Sequence, residues 1–233
     1  MRKVFALAPL ALAFALTTTA RAQQPTPAPQ ASPQTQAHPP SSASPQPTPA
    51  PAESHEYAPI QERGLDYKDW TYKSAASGDP VNLRGWARGR RLVLVVYFAP
   101  WCHNWKAEAS VVARLYQKFH DAGLDIIAVS EYGTPAEIKS YFDAFPAAYP
   151  VVVESDSEGG REKTTHYDYR RKTGDTRKWG SPYNVFLDPA RLNAAGDVLA
   201  SKVWVANGEL VEAEAEKFIR ERLGLPAGAR IED

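Results

Sequence analysis

Seven consecutive apolar residues, Leu92–Phe98 (LVLVVYF), are the strongest constraint on how this chain folds. Apolar side chains at every position, rather than at every second one, are typical of a strand that is covered on both faces in a partly parallel sheet. A second run of this kind covers residues 124–129, after a stretch with apolar residues at helical spacing. The pattern predicts a helix from near Cys102 to about Asp121 between two buried strands.

Weaker patterns complete the prediction. They indicate a hairpin over residues 69–83 and strands in 149–154, 184–187 and 198–205. They also indicate two helices, one that starts at Thr134-Pro135 and one over about 209–223. The first of these helices carries on one side Ile138, Tyr141, Phe142 and Phe145. Residues 155–181 show no clear periodicity. Helices that alternate with strands in this way predict an α/β protein with a central mixed sheet and helices on both faces.

The first residues have the pattern of an export signal. Arg2 and Lys3 form a positive end, residues 4–16 are apolar, and residues 20–22 (ARA) are a small-x-small cleavage site. The apolar run is shorter than the roughly 20 residues of a membrane span. We therefore expect cleavage after Ala22 and a periplasmic or extracellular protein, which is attached to a membrane only if the signal segment is retained.

The segment after the signal has a different composition. Residues 23–52 consist almost wholly of Pro, Gln, Ala, Ser and Thr and carry no Lys, Arg, Asp or Glu. Such a segment cannot bury a core and is typical of an extended, disordered linker. The composition becomes globular from about Tyr57. We therefore expect a signal peptide over 1–22, a linker over 23–56 and one domain over 57–233.

The charge balance argues against two kinds of partner. Without Arg2, Lys3 and Arg21, the exported chain would carry 24 basic and 27 acidic residues. This slightly acidic balance favours neither nucleic acid nor an anionic membrane surface.

Cys102 is the only cysteine among 233 residues. Exported proteins usually pair their cysteines, and a single one cannot form an internal disulfide. A lone cysteine is most often a small buried hydrophobic residue. Cys102, however, follows a buried strand and begins a helix, where backbone N–H groups favour negative charge on sulfur. Its position therefore favours an accessible thiol.

In this order the elements resemble the thioredoxin superfamily and, within it, the exported TlpA-like thiol-disulfide oxidoreductases of the redoxin group. The resemblance covers about residues 69–223 and rests on the segments GDPVNL, VLVVYFAPWC, IIAVS, SPYNVFLD and GDV. It implies a thioredoxin-like α/β/α sandwich with a central mixed β-sheet, an N-terminal β-hairpin and a helix–strand insertion.

The resemblance also implies roles for individual residues. Trp101 and Cys102 match the family's Trp and attacking cysteine, and Glu108 matches an acidic residue six positions further on. Pro182 matches the cis-proline that faces the site. The residues implied in substrate binding are Trp101, Trp105, Ser181, Pro182 and Tyr183.

Trp105 departs from the family's pattern, because it stands where the second, resolving cysteine belongs. With one sulfur the chain cannot close an internal disulfide to release a product. Three reactions need only Cys102: exchange resolved by an outside thiol, disulfide shuffling completed by the substrate's own cysteine, and peroxide reduction through a sulfenic acid.

Two neighbours are candidates to assist the thiol. His103 would stabilise a thiolate if its ring turned toward the sulfur, although an outward position is an equal alternative. Glu108 would shuttle a proton to the sulfur, or it is an ordinary exposed helical residue. Cys102, His103 and His166 do not have the spacing of a recognised metal site, so we expect no metal and no other cofactor.

Residues 166–179 (HYDYRRKTGDTRKW) combine aromatic residues with five basic ones and lead into the Pro182 loop. Two interpretations stay open: the segment overhangs the site and selects substrates, or it is an ordinary surface loop.

Two classes of function follow from these observations. In the first, Cys102 acts alone on a protein or peptide thiol or disulfide, with an external thiol as reductant. In the second, the chain binds an extended peptide beside an aromatic patch of Trp101 and Trp105, without redox chemistry. A one-cysteine peroxidase ranks last, because the segment before Cys102 lacks the Thr or Ser that positions peroxide.

Overall fold

The computed structural model describes residues 54–227. The predicted signal peptide and nearly all of the predicted linker lie outside the described residues. The strands are β1 (Tyr57–Ala58), β2 (Gln61–Lys68), β3 (Thr71–Ser74), β4 (Pro80–Asn82), β5 (Leu92–Phe98), β6 (Leu124–Ser130), β7 (Val151–Val153), β8 (Tyr183–Leu187), β9 (Val198–Ala206) and β10 (Glu209–Leu210). The helices are α1 (Leu83–Ala87), α2 (His103–Phe119), α3 (Pro135–Ala144), α4 (Thr165–Lys172) and α5 (Glu212–Leu223).

Eight strands form one sheet in the order β2-β9-β8-β5-β6-β7-β3-β4. β5 pairs parallel with β6 and antiparallel with β8, and β6 pairs parallel with β7. Side chains of α2, α3 and α5 pack on one face of the sheet, and those of α1 and α4 pack on the other. The prediction of a thioredoxin-like α/β/α sandwich with a central mixed sheet is confirmed.

β5 contributes side chains to both halves of the core, one on each face of the sheet. Leu94 and Phe98 pack with α2 and α5 on one face, whereas Val93 and Tyr97 pack with α1 and α4 on the other. All seven residues of this strand are buried. An apolar side chain is therefore required at every position, which explains the run that the sequence displays.

Two helix ends follow the predicted capping chemistry. The Thr134 hydroxyl accepts a hydrogen bond from the Glu137 amide, and the Glu137 carboxylate accepts one from the Thr134 amide. Gly224 follows α5 in a left-handed conformation, with φ of 68°. Both devices satisfy backbone groups that the helix itself leaves without partners.

The segment 155–181 contains helical structure that the sequence pattern did not predict. A 3-10 segment covers Glu158–Lys163, and α4 follows it. The inward side of α4 includes the polar residues His166 and Arg170, both buried. A helix that buries polar side chains has no apolar periodicity, so the usual signal is missing.

Several predicted boundaries also need correction. The last helix begins at Glu212 rather than near Glu209, because Glu209 and Leu210 pair with β1 as strand β10. β2 was not predicted and pairs with β9 at one edge of the large sheet. Phe145 lies beyond the end of α3 and is 65% exposed, so it does not belong to the apolar side of that helix. No helix within residues 54–227 has the length and apolar character to cross a membrane.

A substitution at Gly180 tests how tightly the segment before Pro182 is packed. Its φ is +58°, and an added Cβ would overlap the Arg170 side chain. We expect Gly180→Ala to destabilise the protein by more than the ~1–2 kcal/mol of a left-handed alanine alone, measured as the free energy of unfolding in urea. The matched control is Gly174→Ala, since Gly174 has φ of +85° but no atom within 4 Å of an added Cβ. Equal losses in the two variants would contradict the tight packing of Gly180 on Arg170.

Candidate functional site

Cys102 lies where β5 ends and α2 begins. It is the N-cap residue of α2, and its amide donates a hydrogen bond to the carbonyl of Ala99 at 3.0 Å. Its carbonyl accepts the first helical hydrogen bond, from the Lys106 amide at 3.1 Å. The sulfur therefore stands at the positive end of a 17-residue helix.

The Ser181–Pro182 segment faces this cysteine, and its peptide bond is cis. The Ser181 hydroxyl accepts a hydrogen bond from the Ala99 amide at 2.9 Å. The Ser181 carbonyl accepts a hydrogen bond from the Cys102 thiol, with sulfur and oxygen 3.2 Å apart. The structure thus places the Ser181–Pro182 segment beside Cys102.

The thiol is less accessible than the sequence predicts. Cys102 is 9% exposed, whereas His103, the first residue of α2, is exposed. Trp101 is half-buried, and its ring packs edge-on against Trp179 with centroids 5.3 Å apart. The sulfur is therefore largely covered, and the neighbouring Trp101 ring is held against Trp179.

Trp105 does not form an aromatic patch with Trp101, so that prediction is wrong. The Trp105 side chain is fully buried, with its ring 4.6 Å from that of Phe98 and 6.2 Å from that of Tyr141 between centroids. It lies at the floor of a groove of about 490 Å³ between α2 and α3. As the third residue of α2, Trp105 points toward the sheet. Trp101 precedes the helix and contacts Trp179 instead.

Glu108 is buried rather than an ordinary exposed helical residue. One oxygen, Oε1, accepts hydrogen bonds from the Asn184 amide group at 2.8 Å and the Leu210 backbone amide at 2.9 Å. The other oxygen, Oε2, is buried without a hydrogen-bond partner. Burial raises the pKa of Glu108 to about 8, against the lowering effect of these two hydrogen bonds. A protonated carboxyl with its proton on Oε2 fits this environment.

The Tyr183 side chain is not in a position to bind substrate, which corrects the prediction. Tyr183 is fully buried and packs in the core on the opposite face of the sheet from Cys102. Successive residues of a strand point to opposite faces, so Tyr183 and Asn184 diverge as β8 begins. The backbone carbonyl of Ser181, in the loop before β8, is the group of this segment that contacts the sulfur.

Sequence reasoning missed two groups that complete the site. Asn184 donates to Glu108 and to the Gly208 carbonyl, and its single polar side chain in the apolar run YNVFL was a usable signal. Glu56 accepts hydrogen bonds from Asn104, in the first turn of α2, and from Arg177, just before the Pro182 loop. Glu56 was assigned to the linker, and no local pattern marks it as part of a site.

His166, the third residue considered as a metal ligand, lies in the opposite half of the core. Its ring is stacked on that of Tyr97 and bonded to the Gly180 carbonyl. In the described part of the chain, no three His, Cys, Asp or Glu side chains come together as a potential metal site.

The site consists of a cysteine that begins the helix after the central strand and a proline loop opposite it. This arrangement defines a thioredoxin-fold protein related to the thiol-disulfide oxidoreductases. The chain belongs to the AhpC/TSA family, whose model matches residues 64–191. The predicted membership of the redoxin group within the thioredoxin superfamily is confirmed.

Among curated proteins, the chain is similar to the thiol-disulfide oxidoreductase ResA of Oceanobacillus iheyensis. The two are 30% identical over 66 residues, which cover 28% of this chain and 34% of ResA. The match thus spans about a third of the relative's length.

Solved structures with a similar chain path include two bacterial proteins. One is Mycobacterium tuberculosis DsbF, with a TM-score of 0.47 and 16% identity over 69% of this chain and 99% of that one. Another is a thiol:disulfide interchange protein of Chlorobium tepidum, with a TM-score of 0.48 and 17% identity over 70% of this chain and 98% of that one.

The raised pKa of Glu108 predicts a pH-dependent stability. A carboxyl whose pKa is about 8 when folded and near 4.5 when unfolded stabilises the fold fully below pH ~4.5, and this contribution is lost as pH rises through 8. The stability of the wild type relative to Glu108→Gln should therefore fall by roughly 3–5 kcal/mol between pH 4.5 and pH 9, measured by urea unfolding.

The control for this experiment is Glu108→Ala, which removes the acceptor for Asn184 and Leu210 and should be less stable than Glu108→Gln at every pH. Parallel pH profiles for the wild type and Glu108→Gln would show that Glu108 is ionised in the folded protein, contrary to the prediction.

Proposed function

We propose that this chain is an exported thiol-exchange protein that works through Cys102 alone. The observation that carries the proposal is the position of the Cys102 sulfur, at the start of α2 and in a hydrogen bond with the Ser181 carbonyl. The proposal includes cleavage of the signal near Ala22 and a linker over residues 23–56.

The reaction needs one protein sulfur and two outside partners. The Cys102 thiolate attacks one sulfur of a protein or peptide disulfide, whose S–S bond breaks as a new one forms, and the leaving thiolate takes up a proton. An external thiol then attacks the Cys102 sulfur of the mixed disulfide and releases the second substrate thiol. A second external thiol attacks the new mixed disulfide, so that the Cys102 thiol is restored and the two external thiols leave as a disulfide. The two electrons that reduce the substrate thus come from the two external thiols.

Three groups are assigned a part in this cycle. When Cys102 is reduced, the Ser181 carbonyl accepts a hydrogen bond from its thiol. The same carbonyl provides a backbone acceptor for a bound peptide. The Oε2 atom of Glu108, which lacks a partner, is the group proposed to hold or release a proton during exchange. His103 is exposed at the rim, where its ring meets the substrate rather than the core.

Treatment of the reduced protein with glutathione disulfide should add one glutathione per chain, because the sequence contains one cysteine. Intact-mass spectrometry measures the adduct, and Cys102→Ser should acquire none. With Cys102 only 9% exposed, the adduct should form more slowly than on a free cysteine peptide under the same conditions. A folded wild-type protein that never accepts glutathione would rule out the proposed exchange.

The burial of Cys102 and the loss of a second cysteine at Trp105 favour one alternative from another class. In that alternative the fold is retained as a module that binds an extended peptide along the Ser181–Pro182 backbone without any change of redox state. The two functions differ in whether the site is built for exchange once a second sulfur is supplied.

Trp105→Cys supplies that sulfur and should confer dithiol reductase activity in an insulin-reduction assay, at least about tenfold above the wild type. Residues three apart at a helix start lie on nearby faces, so the two sulfurs can meet. The control is Trp105→Ala, which opens the site equally without adding sulfur.

Loss of a buried indole costs about 3–5 kcal/mol, so near-ultraviolet circular dichroism is needed to show that both Trp105 variants stay folded. If both are folded and Trp105→Cys is no more active than Trp105→Ala, the binding module becomes the better account.

A further inference from the structure

The segment 155–181, before the Pro182 loop, forms a pocket of about 390 Å³, called here the basic pocket. Its lining includes the cationic residues Arg161, Arg170, Arg171, Arg177 and Lys178, with Asp175 as the only carboxylate. This excess of positive charge stands out in a chain with equal numbers of basic and acidic residues.

The Asp175 carboxylate does not offset the charge of the remaining cations in the pocket, because it is already paired with two of the arginines. Its carboxylate lies 2.7 Å from Arg177 Nη2 and 3.4 Å from Arg170 Nε. Arg170 is buried and also donates to the carbonyls of Trp179 and Arg177. These two arginines are therefore structural and are not available to a ligand.

Arg161 is also engaged, with the Lys178 carbonyl and the Glu162 carboxylate. Arg171 and Lys178 are therefore the cations that remain available. Both are exposed, and neither takes part in a salt bridge within residues 54–227. Arg171 lies 5.8 Å from the centre of the Tyr167 ring, and the Lys178 amine lies 4.9 Å from that of Trp179. Cations held against aromatic faces, without a carboxylate partner, are suited to bind an anionic group.

The pocket is connected to the thiol by two routes. Arg177 donates from Nη2 to the Pro182 carbonyl at 3.0 Å, next to the Ser181 carbonyl that accepts from Cys102. Trp179, whose ring lies below Lys178, packs edge-on against Trp101 beside the cysteine. A peptide that places its sulfur at Cys102 and follows the Ser181–Pro182 backbone therefore runs toward the basic pocket.

We propose that the basic pocket binds the carboxylates of a peptide substrate, so that this chain selects cysteines flanked by Asp or Glu. The inference rests on the proposed function of Cys102 and deepens it by naming the substrate class. Arg171 and Lys178 are the residues that recognise the acidic side chains, and salt weakens the recognition because both are at the surface.

The test uses two short peptides that differ only in Glu or Gln residues beside a cysteine blocked with a neutral thiopyridyl group. The Cys102 thiolate attacks the peptide sulfur, and pyridine thione leaves with its absorbance as the readout. We expect the Glu peptide to react about tenfold faster at low ionic strength, with the ratio falling toward one in high salt.

The double variant Arg171→Gln, Lys178→Gln should lose most of this preference. Lys202→Gln is the control, because Lys202 is an exposed lysine on β9 and its loss changes the charge without touching the pocket. The control should keep the full preference. Equal rates for the Glu and Gln peptides on the wild type, or a preference unchanged in the double variant, would overturn the proposal.

A binding measurement separates this inference from the reactivity of Cys102. Cys102→Ser is titrated with the same peptides carrying Ser in place of Cys, and calorimetry reports the affinity. Tighter binding of the Glu peptide supports the pocket even if Cys102 proves unreactive. A reactive Cys102 without any preference for Glu, in rate or in binding, overturns the pocket and leaves the exchange function standing.

Discussion

The guanidinium of Arg170 holds the segment on which the site depends. It is 1% exposed and donates to the carbonyls of Trp179 and Arg177, with Asp175 as its counter-charge. A buried charge is costly unless it is both paired and hydrogen-bonded, so these partners and Arg170 require one another. Because Ser181 follows only two residues after Trp179, anchoring this backbone also fixes the carbonyl that accepts the Cys102 thiol.

The neutral side chain of His166 also binds this backbone segment, at the residue after Trp179. Burial, with a further effect from nearby Arg170, holds the pKa of His166 well below its usual range. A neutral ring has one donor and one acceptor nitrogen. Nε2 therefore donates to the Gly180 carbonyl at 3.2 Å, and Nδ1 accepts from the Tyr132 hydroxyl at 3.0 Å. Two side chains of α4, Arg170 and His166, thus fix the consecutive carbonyls of Trp179 and Gly180.

Trp105, the third residue of α2, belongs to the core. Its indole fills the space between Phe98 at the end of β5 and Tyr141 of α3, and no part of it reaches the surface. The residue therefore contributes core packing where a resolving cysteine would contribute chemistry. The segment 155–181 places its aromatic and basic side chains outside the first turn of α2.

The sequence by itself determined the central strand, the helix that begins beside Cys102 and, apart from β2, the strands of the mixed sheet. These elements bury apolar side chains with a regular period, and a period is visible locally. Only the tertiary structure decided that Glu108 is buried against Asn184, that Trp101 meets Trp179 rather than Trp105, and that α4 turns Arg170 and His166 inward. The residues that contact a polar or aromatic side chain are often distant from it in the sequence. Glu108 and Asn184, for example, are more than 70 residues apart along the chain. Which contacts it makes therefore depends on how the sheet and helices are assembled, and no local pattern records that.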